Sequence, residues 1–279
     1  MVLSVITVTL NDKETIAEQL SSVIRGAKNI SIEQWIVDNG SSDGTPDHIA
    51  QNFPNVKIIK NNLNTGFGHA NNQAAEKATG EYLLFINPDM RVEEGSLDKI
   101  VAWMKEHPDV GIASCKLVDQ NGHFNDSAKP RRLPALFDQV MVLLKIPHLF
   151  PRVLDKYMYA GFDDNLEQEV DSVRGSFMLM RRSLYEKLGW AFDPRYYIWF
   201  EDVDICRECR RHGLKVMYTP VISCVDYVGQ TFKKMPVMWK QKNFTKSMLQ
   251  YFQKWEPWYK WGLIAVLRPI AIALTFISK

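Results

Sequence analysis

Cysteine is scarce in this sequence: four residues in 279, at Cys115, Cys206, Cys209 and Cys224. So few, so irregularly spaced, exclude the disulfide framework of a small secreted domain and point to a reducing compartment. Cys206 and Cys209 spell C-x-x-C, but a structural zinc site needs a second such pair, and a redox motif should open a helix after a strand. Here the pair falls inside a predicted helix and reads as ordinary helix thiols. Charge of one sign is also lacking: 34 Lys and Arg against 32 Asp and Glu leave a net charge of +2. That excludes the concentrated basic surface of a phosphate-backbone binder, so nucleic acid is not an expected partner. Long repeats and low-complexity linkers are missing. No basic stretch precedes the first apolar run, residues 1–10, which reads as a buried strand and not as an export signal.

What is present is a hydrophobic content of 46% in a chain long enough for one sizeable α/β core with an appendage. Short β-branched runs alternate with amphipathic stretches. Strands are predicted at 4–10, 34–37, 56–59 and 82–86, with helices at 14–25 and 69–78. The cluster Asn39-Gly-Ser-Ser-Asp-Gly44 reads as a turn before a helix capped by Thr45, with Pro46 at its first position. This alternation argues for a mostly parallel, Rossmann-like sheet flanked by helices. Farther on, the pattern predicts a helix at 96–105, a strand at 110–118, a hairpin turn at 119–122 and an apolar helix at 134–144 within an insertion running to about 159. A buried strand at 172–180, a helix at 202–212 stopped by Gly213, and one or two strands over 216–228 divided near Pro220 complete it.

The last stretch differs in kind. Lys240, Lys242, Lys246, Lys254 and Lys260 interleave with Trp255, Trp258, Tyr259 and Trp261, and residues 262–277 are almost wholly apolar apart from Arg268 and Pro269. A spanning helix needs about 20 apolar residues, so this interrupted run reads as a helix lying at or shallowly in a membrane surface. Its Trp and Tyr would sit at headgroup level while its lysines meet anionic lipid.

Acidic residues recur where a parallel α/β sheet places its ligand, at the carboxyl ends of strands. Asp38 ends the second strand, Asp89 follows the strand at 82–86, and Glu201 and Asp202 precede a late helix. The segment Thr65-Gly-Phe-Gly-His-Ala-Asn71 contains G-x-G, but Asn71 stands where a dinucleotide fingerprint has its third glycine, and the segment follows the third strand instead of the first. A Rossmann oxidoreductase is therefore disfavoured.

Six segments in order carry a resemblance: Val-Thr-Leu-Asn11, Val-Asp-Asn-Gly-Ser-Ser-Asp43, Asn-Thr-Gly-Phe-Gly-His-Ala-Asn-Asn72, Gly-Glu-Tyr-Leu-Leu-Phe-Ile-Asn-Pro-Asp89, Gly-Ser-Phe-Met-Leu-Met-Arg-Arg182 and Phe-Glu-Asp-Val-Asp204. Over about residues 3–230 the chain resembles the family 2 glycosyltransferases of the GT-A fold, and within them the rhamnosyltransferase branch of bacterial surface-polysaccharide assembly, including O-antigen. The resemblance implies an inverting transfer from a nucleotide sugar, plausibly dTDP-rhamnose, to a glycan or polyprenyl-diphosphate-linked acceptor. Such a reaction needs a pocket for the base, a divalent cation for the departing diphosphate and a carboxylate that deprotonates the acceptor.

By the same resemblance, Asp38 and Asn39, aided by Thr9, read the base, and Asn11, Gly66, Asn71 and Asn87 belong to the nucleotide-sugar site. Asp89 matches the last acid of the D-x-D metal motif, whose first acid is Asn87 here. Mg²⁺ or Mn²⁺ would be held by few protein ligands plus diphosphate oxygens. Asp202 matches the general base, with Glu201 beside it, while Asp204 is expected to cap the helix or to pair with Arg207 or Arg211. Arg174, Gly175 and Ser176 match the strand under the acceptor, and Trp199 and Phe200 offer aromatic faces to a sugar ring or serve the core.

Two positions depart from the family pattern. Where relatives often place a histidine metal ligand after the late strand, this chain has Asp226. Where they often carry an arginine four residues after the last acid of the E-D-x-D segment, it has Glu208, with Arg207 one place earlier. These departures motivate a second reading, a catalytically lapsed relative that binds nucleotide sugar or glycan as a partner subunit. The expected organisation is a transferase domain at 1–230, divided into a donor part at 1–118 and an acceptor part at 119–230, followed by membrane-associating helices at 231–279. The expected location is cytoplasmic, peripheral on the inner face of the cell membrane.

Overall fold

The structure, a computed structural model, describes residues 1–227 and 235–277. Its elements begin β1 (Leu3–Thr9), α1 (Ile16–Gly26), β2 (Ile32–Asp38), α2 (Thr45–Asn52), β3 (Lys57–Lys60), α3 (Phe67–Lys77), β4 (Tyr82–Ile86), β5 (Met90–Val92), α4 (Ser96–Glu106) and β6 (Val110–Val118). They continue with α5 (Leu136–Leu143), β7 (Gln168–Glu169), β8 (Phe177–Arg181), α6 (Arg182–Leu188), α7 (Glu201–Arg211), β9 (Lys215–Asp226), α8 (Val237–Trp255) and α9 (Trp258–Ile277).

Among the described residues the strands form one sheet in the order β3-β2-β1-β4-β8-β6-β9-β5, with β7 beside β9. β3, β2, β1 and β4 run parallel. β8 lies antiparallel to both β4 and β6, so the sheet is mixed where the sequence suggests a mostly parallel one. Period-two alternation sorts the core. Leu3 and Val5 of β1, Leu84 of β4 and Leu179 of β8 face α1 and α4. Ile6, Leu83, Phe85 and Met178 face α3, α6 and α7. Cover on both faces explains why β4 reads as an unbroken apolar run. A separate cluster joins α5, α8 and α9 through Leu143, Met248, Phe252 and Ile264.

Several boundaries differ from the sequence reading for identifiable reasons. Thr45 is the first residue of α2 and not its cap, because Gly44 takes the cap position with φ of 82°. β8 starts at Phe177, not at 172, since residues 172–176 leave the ladder to line the site. β9 is one strand, and the division expected near Pro220 is a register shift: Cys115 pairs with Thr219 but Lys116 with Ser223. Proline cannot donate to a ladder, so a bulge is the natural accommodation. β5 and α6 escaped the pattern, being three and seven residues long. Helix α9 runs on through Pro269, and Arg268 Nε turns aside to Thr245 Oγ1 at 3.3 Å. The interruption read from the sequence is therefore absent from the backbone, and Trp258–Phe276 is long and apolar enough to cross a membrane by length and composition, with only 11% of its apolar window buried. Val228 and the 230/231 boundary lie outside the described residues, as do residues 278–279. The Cys206 and Cys209 thiols are free and buried in α7, and burial pushes both upward, Cys209 to about 12.

Candidate active site

A pocket opens at the carboxyl ends of β1, β2 and β4, walled by Thr9, Asn39, Asn64, Gly66, Asn87 and Asp89 and roofed by Tyr197 and Trp239. Asn39 organises it. Its N–H donates to the Thr9 carbonyl at 2.8 Å. Its Nδ2 donates to Gly66 O at 3.3 Å, and its Oδ1 accepts from Thr65 Oγ1 at 3.0 Å. Gly66 has φ of +91°, and a Cβ there would come within 2.7 Å of the Tyr197 ring. Only glycine lets this loop pass under the roof. The remaining predicted donor residues support the wall from behind. Asp38 is 2% exposed and accepts from Thr9 Oγ1 at 3.2 Å and the Ser41 N–H at 3.0 Å. Asn11 Oδ1 accepts from the Ser42 N–H at 2.8 Å, tying down the turn. Asn71 is buried in α3, donating to Phe67 O at 2.9 Å. Asp12, which sequence reasoning missed, lines the pocket and accepts from the Leu10 N–H at 2.8 Å. Its position just beyond β1 was the available signal.

Asp89 and Asp226 come from neighbouring antiparallel strands: Met90 pairs with Asp226 in register, and the Tyr227 N–H donates to Asp89 O at 3.2 Å. Asp89 faces the donor pocket, Asp226 faces a second cavity, and Asn87 lines both. Among the described residues no three His, Cys, Asp or Glu side chains gather as a cation cage. Two carboxylates and an amide are a hard-oxygen donor set that fits Mg²⁺ or Mn²⁺, which keep waters or substrate phosphates as their remaining ligands.

The second cavity holds Asp202, Glu201, Arg174, Gly175, Ser176 and Trp199. Trp199 and Phe200 both adopt the left-handed backbone region, with φ of 63° and 67°. Consecutive aromatic residues there are strained, and the strain starts α7 so that its first turn enters the cavity. Asp202 Oδ1 accepts from the Val203 N–H at 2.8 Å and Oδ2 from the Gly175 N–H at 3.3 Å. The carboxylate is thereby aimed, while the residue stays partly open to solvent. Glu201 is 6% exposed and its Oε2 has no hydrogen-bond partner. Burial, then the neighbouring Asp202, push its carboxyl well above the usual range. Of the two, Asp202 is the less buried.

A sequence model of the family described as "Glycosyl transferase family 2" matches residues 4–189. The chain belongs to this family. It is 26% identical over 281 residues to the N-acetylglucosaminyl-diphospho-decaprenol L-rhamnosyltransferase of Mycobacterium tuberculosis, covering 96% of this chain and 89% of that protein. It is also 26% identical over 211 residues to rhamnosyltransferase WbbL of Escherichia coli, covering 70% and 74%. Among solved structures it resembles the mannosyltransferase PcManGT of Pyrobaculum calidifontis in complex with GDP-Man and Mn²⁺, with a TM-score of 0.59 and 20% identity over 99% of this chain and 73% of that one. It likewise resembles TarS of S. aureus in complex with UDP-GlcNAc, with a TM-score of 0.58 and 19% identity over 96% and 66%. The fold is GT-A.

In this glycosyltransferase the family match ends before α7, so the place of Asp202 rests on geometry and on the relatives that align farther. Asp204 corrects an expectation: it is 0% exposed and pairs with neither Arg207 nor Arg211. It accepts from Lys254 Nζ at 2.7 Å, Trp255 Nε1 at 2.6 Å and the Tyr196 hydroxyl at 3.1 Å. Lys254 also reaches Asp193 at 3.0 Å and Glu208 at 2.9 Å, clamping α8 to α7. Arg207 turns to Tyr251 and Glu256, at 3.0 and 3.2 Å. Helix α7 therefore directs no arginine at the donor diphosphate. Phe200 is 5% exposed and packs on Phe244 and Tyr251, chiefly a core role, whereas Trp199 stays partly open.

Proposed function

We propose that this glycosyltransferase moves rhamnose from dTDP-rhamnose onto a glycan carried by a polyprenyl diphosphate, with inversion at the anomeric carbon. The observation that carries this reading is Asp202, held by two N–H groups in a cavity that shares Asn87 with the donor pocket. The M. tuberculosis relative, named for N-acetylglucosaminyl-diphospho-decaprenol, supports the acceptor class. Asp202 takes the acceptor hydroxyl proton as that oxygen attacks the anomeric carbon from the face opposite the diphosphate. The bond to the β-phosphate oxygen breaks, and its electron pair leaves with the nucleoside diphosphate. Asp89, Asp226 and Asn87 would hold Mg²⁺ or Mn²⁺, which supplies neutralising charge for the leaving group. In this reading residues 1–118 supply the walls of the donor pocket under a roof of Tyr197 and Trp239, residues 119–230 supply most of the acceptor cavity, and the 231–279 region rests on the inner face of the membrane through α9. Trp258 and Tyr259, 74% and 59% exposed, suit headgroup level.

The test incubates the purified chain with Mn²⁺, a panel of nucleotide sugars and GlcNAc-diphosphate-polyprenol, and weighs the lipid product. A product heavier by one deoxyhexose from dTDP-rhamnose alone is expected. Tight nucleotide binding with no product from any donor would favour the lapsed-relative reading instead.

A further inference from the structure

Beside Asp202 lies a cavity lined by Lys129, Arg131, Tyr157, Arg174, Trp199 and Phe244, none of which lines the donor pocket. Arg131 and Arg174 each bury a guanidinium Nε that has no hydrogen-bond partner, and the adjoining Gln139 Nε2 is likewise unsatisfied. Neither arginine reaches salt-bridge distance of a carboxylate among the described residues. Unmet buried donors are rare because burial strips them of water without supplying a new partner, and the cost is greater when the group is charged. The backbone holds them in place: Arg131 exchanges hydrogen bonds with Ser172 at 3.2 and 3.1 Å, and Arg174 Nη2 donates to Ser127 O. Burial, then the charge of Arg131, lower the Arg174 guanidinium to about 10. The carboxylates of Asp202 and Asp226 act on Arg174 through space, while the two Nε donors make no hydrogen bond.

We infer that Arg131 and Arg174 form the subsite for the acceptor's diphosphate, with Lys129 at its edge and the wall of Trp199, Phe200 and Phe244 receiving the first isoprene units. This rests on the function proposed above and names the part of the substrate that the cavity grips. Both arginines also line the cavity that holds Asn87 and Asp226 but not the donor pocket itself, so the donor's diphosphate is the competing occupant, and dTDP affinity is the arm of the test that separates the two. An arginine fork suits phosphate oxygens through paired N–H groups. Asp202 lines the same cavity, so in this reading the sugar that carries the attacked hydroxyl is the one joined to the diphosphate. The acceptor is thus a lipid carrying one sugar, the product of a sugar-phosphate transfer to polyprenyl phosphate.

The experiment measures binding of farnesyl diphosphate to the full chain by calorimetry, without turnover. Arg131→Gln and Arg174→Gln should each weaken it at least tenfold while changing dTDP affinity in Mn²⁺ less than twofold. Arg132→Gln, removing an exposed neighbour that faces Asp171 at 3.9 Å, should leave both unchanged. Arg131→Lys keeps the charge without the fork and should lose only part of the affinity, which guards against a misfolded Gln variant. Inorganic pyrophosphate should compete with farnesyl diphosphate and farnesol should not; the reverse order would overturn a headgroup site. Unchanged farnesyl diphosphate affinity in both Gln variants, or an equal fall in dTDP affinity, would also overturn it. If arginine-dependent binding holds but no sugar is transferred, the proposed function fails and the anion subsite stands.

Discussion

Two buried glutamates at opposite ends of the sheet meet opposite fates. Glu33, near the amino end of β2, is 6% exposed, and every oxygen is met: Ser4 Oγ at 2.7 Å and the Thr79 N–H at 2.6 Å on one, Lys57 Nζ at 2.7 Å on the other. Burial works to raise its carboxyl, yet these donors together hold it down at about 2. Glu201, at the carboxyl end, is equally buried, but one oxygen is unmet and burial prevails. Among the described residues the charged side chains with a buried unmet atom, Glu201, Arg131 and Arg174, all line the cavity that holds Asp202, whereas Glu33, which holds the fold together, is fully met.

The comparison can be broken first at Lys254, a cation at the site end that is satisfied as fully as Glu33. Its side chain is 12% exposed among three carboxylates. Lys254→Met should cost on the order of 3–5 kcal/mol of stability in denaturant unfolding, because it leaves buried charges uncompensated. A loss below 1 kcal/mol would show the clamp to be dispensable. At Asp89 we expect the opposite signature. Asp89→Ala, or chelation of the wild type, should slow transfer by roughly 100-fold, about 3 kcal/mol, with little change in melting temperature. Unchanged rates in EDTA would remove the cation from the reaction.

Glu33 sharpens the structural side. Its folded value of about 2 lies below the ordinary 4.5. The stabilisation is therefore complete above pH 4.5 and is lost as pH falls through 2. Allowing for screening of the half-exposed Lys57, it amounts to ~2 kcal/mol, and Glu33→Gln should flatten the acid arm of the stability profile. An acid arm as steep as wild type would place the loss elsewhere. The smallest effect belongs to Glu201. Burial and the neighbouring Asp202 push its carboxyl upward and disfavour its charged form, so Glu201→Gln, which keeps the shape without the charge, should keep transfer within roughly tenfold and leave the melting temperature intact. A loss as deep as that of an Asp202 variant would exchange their roles.

What the sequence revealed and what it concealed follow range of interaction. β4 and β6 were legible residue for residue, because their apolar runs answer to a local period. That Asn39, Gly66, Asp89 and Asp202 line cavities was legible because each stands at a strand end or helix start within a recognisable segment. The partner of Asp204 was not: Lys254 lies 50 residues on, beyond any helical spacing, and Arg207 and Arg211 offered a nearer and mistaken pairing. Arg131 sits in an insertion without periodicity, and nothing local announced that its backbone would bridge Ser172. Asp38, Asn11 and Asn71 were placed in the right neighbourhood, but sequence could not separate a wall residue from the one that braces it.

The decisive measurement is the rate of sugar transfer by Asp202→Asn beside its melting temperature and donor affinity. We expect the rate to fall by about 10³-fold while the fold and donor binding stay at wild-type values, because only the proton acceptor is lost. A variant that transfers sugar at the wild-type rate would contradict the assignment of Asp202 as the base.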